Sequence, residues 1–208
     1  MNHQLKDLED SVSRETISKL EHYHSLLLKW QKTINIVSPN TIPDAWNRHI
    51  LDSLQVVNLL DDNVKVLMDL GCGGGFPGMA VAICRPDIDV YLVESDQRKC
   101  SFMRAVSRET NSPAKIMNQR IEGLVDVDPF PIVDVVSARA LASLDKLLGF
   151  CAPMLAANPD LVCLFQKGVR YQEEIDQARK DFSFEFDVVS SLVDNESVIL
   201  RISNIQSL

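Results

Sequence analysis

The sequence predicts an α/β protein: a mostly parallel, Rossmann-like sheet with one antiparallel strand, preceded by a cap of helices. Three observations carry this. From residue 64 onward, short apolar runs alternate with helix-length amphipathic segments, the rhythm of a parallel sheet covered on both faces. The first of these runs, VKVLM, passes directly into DLGCGGGFPG at 69–78, with five glycines in ten positions. The last two extended segments face each other across Asp194-Asn195 and predict a hairpin that adds the antiparallel strand.

The elements follow in order. Residues 15–32 carry Ile17, Leu20, Leu27 and Trp30 at helical spacing. Pro39 and Pro43 break the chain, and a second helix is expected over 44–59 with Ile50, Leu51, Leu54 and Val57 inward. VKVLMDL is a strand, FPGMAVAIC opens a helix, DVYLVE is a strand and RKCSFMRAVSR a helix. A third strand region precedes QRIE at 119–122. IVDVVSARA is a strand running into a turn, SLDKLLGFCAPMLA (143–156) one helix, LVCLFQ a strand, and 170–181 a charged helix. FSFEFDVVSSLV and SVILRIS form the hairpin. The expected division is a helical cap over 1–60 and a sheet domain over 61–208, with no internal repeat.

Composition narrows the function. The 208 residues carry 21 Lys and Arg against 29 Asp and Glu, a net charge of −8, which argues against a surface that grips nucleic acid all over. The deficit is uneven. Residues 125–208 hold 7 basic and 13 acidic side chains, whereas 97–120 hold six basic residues and one acid, Glu109. That second stretch is either a solvated helix face or a local anion footprint. Five cysteines without a CxxC pair point to reduced, packed thiols in a cytoplasmic protein, with no zinc site and no disulfide framework. No apolar run is long enough to span a membrane, and the acidic N-terminus is unlike a secretory signal.

In sheets of this type ligands sit at the carboxyl ends of the strands, so residues just after strands are the candidates. GGGFPG at 73–78 satisfies the dinucleotide pattern GxGxxG, a weak signal alone. Gly71, Gly73 and Gly75 with Phe76 suit a tight strand-to-helix turn that brings a ligand close to the backbone. No Lys-Ser/Thr follows, which excludes a P-loop. Glu94 closes its strand nineteen residues after Gly75, where a carboxylate can accept ribose hydroxyls. An NAD enzyme and an S-adenosylmethionine enzyme both remain open at this point. Asp69 favours the second: beside a pyrophosphate it is repulsive, and beside an amino group or sulfonium it is attractive. Ser95 and the pair Ile121 and Glu122 follow the next strands, where an adenine is expected.

Arg139 follows the fourth strand and Lys167 the fifth, and with Arg48 and His49 they predict a small positive rim on an acidic protein. His49, Asp52 and Ser53 contain the triad residue types, but on one helix they are placed to cap and brace neighbours. DPFP at 128–131 precedes its strand, the wrong end of the sheet for an amino-methylating signature.

Taken together, KWQKTINIVS, RHILDSL, DLGCGGGFPGMAVAICRP, LVESDQRKCSFM, QRIE, SARA and QKG resemble, in order and spacing across 25–170, the bacterial small-subunit ribosomal RNA guanine-N7 methyltransferase family, also called glucose-inhibited division protein B. The resemblance implies a seven-stranded methyltransferase fold that moves a methyl group from S-adenosylmethionine to N7 of the guanine at position 527 of 16S rRNA. It implies that Asp69, Gly71, Gly73 and Gly75 line the cofactor, that Glu94 or Ser95 holds its ribose side, and that Ile121 and Glu122 lie by the adenine. Arg48, Arg139 and Lys167 are implied on the substrate side, with Arg139 and Lys167 closest to the chemistry. The partner is 16S rRNA within the small subunit or its precursor, no metal is expected, and a monomer is the default. The alternatives are a methyltransferase for another acceptor and, more distantly, an NAD-dependent oxidoreductase. Glu196-Ser197 stand where family members often carry a basic residue.

Overall fold

The computed structural model describes residues 7–8, 11–127 and 129–208; Asp128 of the DPFP run lies outside them. Helix α1 (Arg14–Trp30) starts at Ser13, whose hydroxyl accepts the Thr16 N–H, the usual way a helix end satisfies an orphan donor. A 3-10 turn (Pro39–Asp44), a π-helical turn (Trp46–Leu51) and helix α2 (Asp52–Asn58) follow. The sheet region comprises β1 (Val66–Leu70), α3 (Gly78–Cys84), β2 (Asp89–Glu94), α4 (Gln97–Glu109) and β3 (Ala114–Asn118). A 3-10 turn (Ile121–Asp126) leads to β4 (Val135–Arg139), α5 (Leu144–Phe150), α6 (Ala152–Ala157), β5 (Val162–Lys167) and α7 (Tyr171–Ala178). The hairpin β6 (Phe182–Ser190) and β7 (Val198–Ser207) closes the chain.

The seven strands lie in the order β3-β2-β1-β4-β5-β7-β6, and only β7 runs against its neighbours. Strand pleat sends alternate side chains to opposite faces. Leu67, Val90, Leu92, Val135, Leu164 and Ile199 join one apolar cluster with α3, α4 and the N-terminal helices, Leu20, Tyr23 and Leu27 among them. Met68, Val93, Val136, Phe165 and Leu200 join the other, under α5 to α7. The N-terminal helices therefore share a core with one face of the sheet.

Two expectations change. The helix expected over 44–59 is three segments, because Pro43 sits in the 3-10 turn and the chain then widens into a π-turn before α2 begins. The single helix expected over 143–156 is broken at Cys151, since Pro153 has no N–H to give and its ring crowds the preceding turn.

The glycine turn is where backbone, strand and helix approach most closely. A Cβ built on Gly78 would lie 2.5 Å from Leu92 Cδ2 and 2.8 Å from Asp69 Oδ2, whereas one on Gly123 meets nothing within 4 Å. Gly78→Ala should destabilise the protein by about 1–3 kcal/mol, the cost of overpacking a filled core, while Gly123→Ala stays within about 0.5 kcal/mol of wild type. Urea unfolding of both variants checks this.

Candidate functional site

A cavity of about 770 Å³ opens at the carboxyl ends of the central strands, lined by the glycine turn, the ends of β2, β4 and β5, the π-turn and the β6–β7 turn. Its two halves are built differently.

On the β1–β2 side, two carboxylates hold the glycine turn. Glu94 ends β2 and accepts the Gly73 N–H at 3.0 Å with one oxygen and the Asp96 N–H at 2.8 Å with the other. Tyr23 of α1 reaches over to donate its hydroxyl to the Gly74 carbonyl at 2.6 Å. Gly73 sits at φ +57° with open space where a side chain would be, so the bare backbone faces the cavity. Gly71, Phe76, Ser95, Ile121 and Glu122 line the same half. The Gln119 side-chain nitrogen is buried there with no hydrogen-bond partner among the described residues.

Asp69 departs from the expectation. It is fully buried, does not line the cavity, and spends its oxygens on the Gly78 N–H at 2.8 Å and the Ser137 hydroxyl at 2.9 Å. Position 69 shares the pleat direction of Leu67 and points under α3, so its carboxyl stays out of the cavity wall. Burial pushes its pKa up to about 7, against the bonds from Gly78 and Ser137 and the nearby Arg139. Gly75 is likewise absent from the wall; its φ of +95° turns it inward, toward Met79 and the Tyr23 hydroxyl.

On the β4–β5 side, Arg139 is the centre. Its Nη1 donates to the Arg48 carbonyl at 2.9 Å and to Asp52 Oδ2 at 3.3 Å, its Nη2 meets His49 Nδ1 at 2.7 Å, and the guanidinium lies 5.2 Å over the Phe76 ring. Burial and the two arginines hold His49 down to about 3, so the imidazole is neutral. With Nδ1 accepting from Arg139, its proton sits on Nε2 and is donated to Thr41 Oγ1 at 2.8 Å, which in turn donates to the Ser38 carbonyl. Asp52 also receives the Gln166 amide at 2.6 Å, and burial raises its pKa despite Arg139. Arg48 reaches the rim, where the acidic hairpin turn meets it: Asp194 Oδ2 lies 2.8 Å from its guanidinium.

Lys167 does not join Arg139. The two follow opposite pleat directions: Lys167 contributes to the cavity wall, but its ammonium is buried and bonded to the Ala142 carbonyl at 2.7 Å and Glu174 at 2.6 Å. Its charge is met by Glu174, and His49 is neutral, so the expected rim cations reduce to Arg48 and Arg139. Around Arg139 stand instead His49, expected in the rim as a cation and found neutral, and Asp52 and Gln166, which were not singled out as ligand-facing in the sequence. The available signal was spacing: Arg48 and Asp52 are one helical turn apart, and Gln166 falls opposite Arg139 in the β4–β5 register.

The chain matches the family profile described as rRNA small subunit methyltransferase G (GidB) over residues 16–200. It belongs to this family. A ribosomal RNA small subunit methyltransferase G of Rhizobium meliloti is 46% identical over 93% of this chain and 92% of its own length. The one of Parvibaculum lavamentivorans is 46% identical over 92% of the chain and 84% of its own length. An O-methyltransferase from Bacillus cereus, solved in complex with SAH, shares the fold at TM-score 0.59 and 13% identity, over 89% of this chain and 90% of that one.

Membership removes the oxidoreductase alternative, and the turn explains why physically. Its Gly73 and Gly78 N–H groups, which a dinucleotide fold offers to phosphates, are taken by the Glu94 and Asp69 carboxylates, and a pyrophosphate would meet Glu94 there. Among the described residues no cluster could hold a metal ion and no helix is long and apolar enough to cross a membrane.

Asp69 and His49 give opposite pH signatures. The Asp69 carboxyl holds its proton longer in the folded state, so it stabilises at low pH and that contribution is lost as pH rises from about 4 to about 7. His49 is protonated more easily when unfolded; its contribution is complete above about 6.5 and is lost as pH falls toward 3. Urea unfolding at pH 5 and pH 8 should find Asp69→Asn costlier at pH 5 than at pH 8, by on the order of 3 kcal/mol. His49→Gln should be costlier at pH 8.

Proposed function

We propose that this chain transfers a methyl group from S-adenosylmethionine to N7 of a guanine in 16S rRNA of the small ribosomal subunit, at position 527. The observation that carries the reading is one cavity with two unlike halves, in a chain of this family. One half offers a bare glycine turn and a strand-end carboxylate, and the other a fixed guanidinium.

The first half fits the cofactor. Each Glu94 oxygen has a lone pair left after its backbone bond, enough to accept ribose hydroxyls. Ile121 offers an apolar wall, Glu122 an acceptor, and the unpartnered Gln119 nitrogen a donor for a purine ring. When bound, S-adenosylmethionine supplies a methyl group on a positively charged sulfur, which leaves as a neutral thioether while the charge passes to the guanine.

Guanine N7 carries an in-plane lone pair and no proton, so the chain needs no general base. His49 agrees with this: it is neutral, and both ring nitrogens are committed to Arg139 and Thr41. What the protein supplies is position, which is worth on the order of 7–11 kcal/mol for a well-oriented pair. An arginine against N7 would oppose the growing positive charge, so Arg139 serves O6 or a flanking phosphate. The target must be a loop base or be flipped to reach the cavity. The acidic hairpin turn on Arg48 leaves little of the rim for free duplex, which favours assembled subunits or late precursors over naked RNA. Nothing in the cavity requires a second copy of the chain, and the protein acts as a monomer.

The test is tritiated methyl transfer to small subunits lacking the mark, with naked 16S rRNA in parallel and N7-methylguanine mapped by strand cleavage. Label at a single guanine, stronger in subunits, is expected; label in neither RNA would overturn the reading. Arg139→Lys keeps the charge and loses the fork that bridges Arg48, His49 and Asp52. It should lower turnover at least tenfold while S-adenosylhomocysteine affinity stays within about threefold by calorimetry. An equal loss of both would remove Arg139 from the substrate side.

A further inference from the structure

Arg139 and Gln166 are register partners on neighbouring strands and share a pleat direction, with Leu164 and Ile199 beneath them. Both line the cavity. The Gln166 side-chain nitrogen lies 2.6 Å from Asp52 Oδ2, which also accepts from Arg139, and 3.5 Å from the Asp52 main-chain carbonyl; both oxygens are acceptors, so the amide has one orientation. Its oxygen is thereby turned away from Asp52. That oxygen is buried, and no donor among the described residues reaches it. A buried acceptor left without a donor is costly, which marks Oε1 as an atom waiting for a partner.

Asp52 also takes Arg139 Nη1 at 3.3 Å. One carboxylate therefore holds a donor head and an acceptor head side by side at the end of β4 and β5. The bonds of Arg139 to Arg48, Asp52 and His49 use three of its N–H directions, of the five a guanidinium carries. Guanine presents the complementary pair on adjacent ring atoms: O6, an acceptor, and N1–H, a donor. Adenine presents the reverse, an amino donor and a bare N1.

We infer that Gln166 reads the N1–H of the target guanine beside Arg139 at O6, and that Asp52 positions both. The inference rests on the proposed reaction and names how its base is chosen. It also adds to catalysis. As N7 takes the methyl group the ring becomes cationic and its N1–H a stronger donor, while the N1 proton stays in place. An acceptor backed by a carboxylate is then bound more tightly in the transition state than in the ground state, the condition for acceleration. Lys167, which also lines the cavity, cannot take this part, because an ammonium only donates and this one already donates to Ala142 and Glu174.

The experiment uses small subunits reconstituted with 16S rRNA ligated to carry guanosine, inosine or 1-methylguanosine at the target position. Inosine keeps O6 and N1–H and lacks only the 2-amino group; 1-methylguanosine loses the N1 donor. With wild-type protein, inosine should be methylated within a few-fold of guanosine, and 1-methylguanosine roughly 10- to 100-fold more slowly. Gln166→Met, similar in length and without polar atoms, should methylate guanosine more slowly by a similar factor and discriminate against 1-methylguanosine by less than about threefold. S-adenosylhomocysteine affinity of the variant should match wild type. Equal rates on guanosine and 1-methylguanosine by wild type would overturn the inference. So would an inosine loss as large as that of 1-methylguanosine, or a penalty that persists in full in Gln166→Met. Failure of wild type on guanosine itself would instead remove the proposed reaction.

Discussion

The chain leaving β1 must turn into α3 between Leu70 and Gly78, over a sheet face that stays closed, and two carboxylates make that turn hold. Asp69 lies beneath it, buried among apolar neighbours, and ties the first N–H of α3 to Ser137 on β4. Glu94 lies beside it and ties Gly73 to the start of α4. Each satisfies backbone donors that would otherwise be stranded at a helix N-terminus or in a tight turn. Burying Asp69 is expensive, as its raised pKa records, and the return is a backbone surface with no side chain on it at the mouth of the sheet. The cavity, the reach of Tyr23 from α1 and the place of Phe76 under Arg139 all depend on that turn.

The second organising group is Asp52, on a different element. The π-turn widens the chain just before α2, so that the Arg48 carbonyl, His49 and Asp52 all bond one guanidinium. A partly buried charge held by several partners, as Arg139 and Asp52 are, is a poor source of stability and a good source of fixed geometry. Here it locks the helical cap to the end of β4, while Gln166 extends the same network to β5. The cap therefore does more than cover the sheet; it supplies one wall of the site.

Much of this was legible in the sequence, and the failures have physical causes. Alternation of apolar runs located the strands, because burial on both faces leaves a strong signal in Val66–Leu70 or Val162–Lys167. The edge strand β3 is half exposed and gave little. Glu94 was legible as a strand-end acid after a glycine turn, and the cavity does place it in the wall. Asp69 was legible as a strand-end acid too, but sequence does not say which way a strand-end side chain points, and its carboxyl lies beneath the turn instead of in the wall. Lys167 was singled out for its charge and Gln166, one residue away, was not; both line the cavity, but the period of two sends their side chains to different partners, Glu174 and Asp52. The network of Arg139 joins positions 48, 49, 52, 139 and 166, and no local pattern reports such distances along the chain.

The most direct measurement is a crystal structure of the protein with S-adenosylhomocysteine. The ligand should lie along the glycine turn with its ribose hydroxyls on Glu94 and its purine between Ile121, Glu122 and Gln119. Asp69 should stay beneath it, still bonded to Gly78 and Ser137. A ligand oxygen or nitrogen within hydrogen-bond distance of Asp69, or a ligand seated away from Glu94, would contradict a site in which buried carboxylates build the turn and the open backbone receives the cofactor.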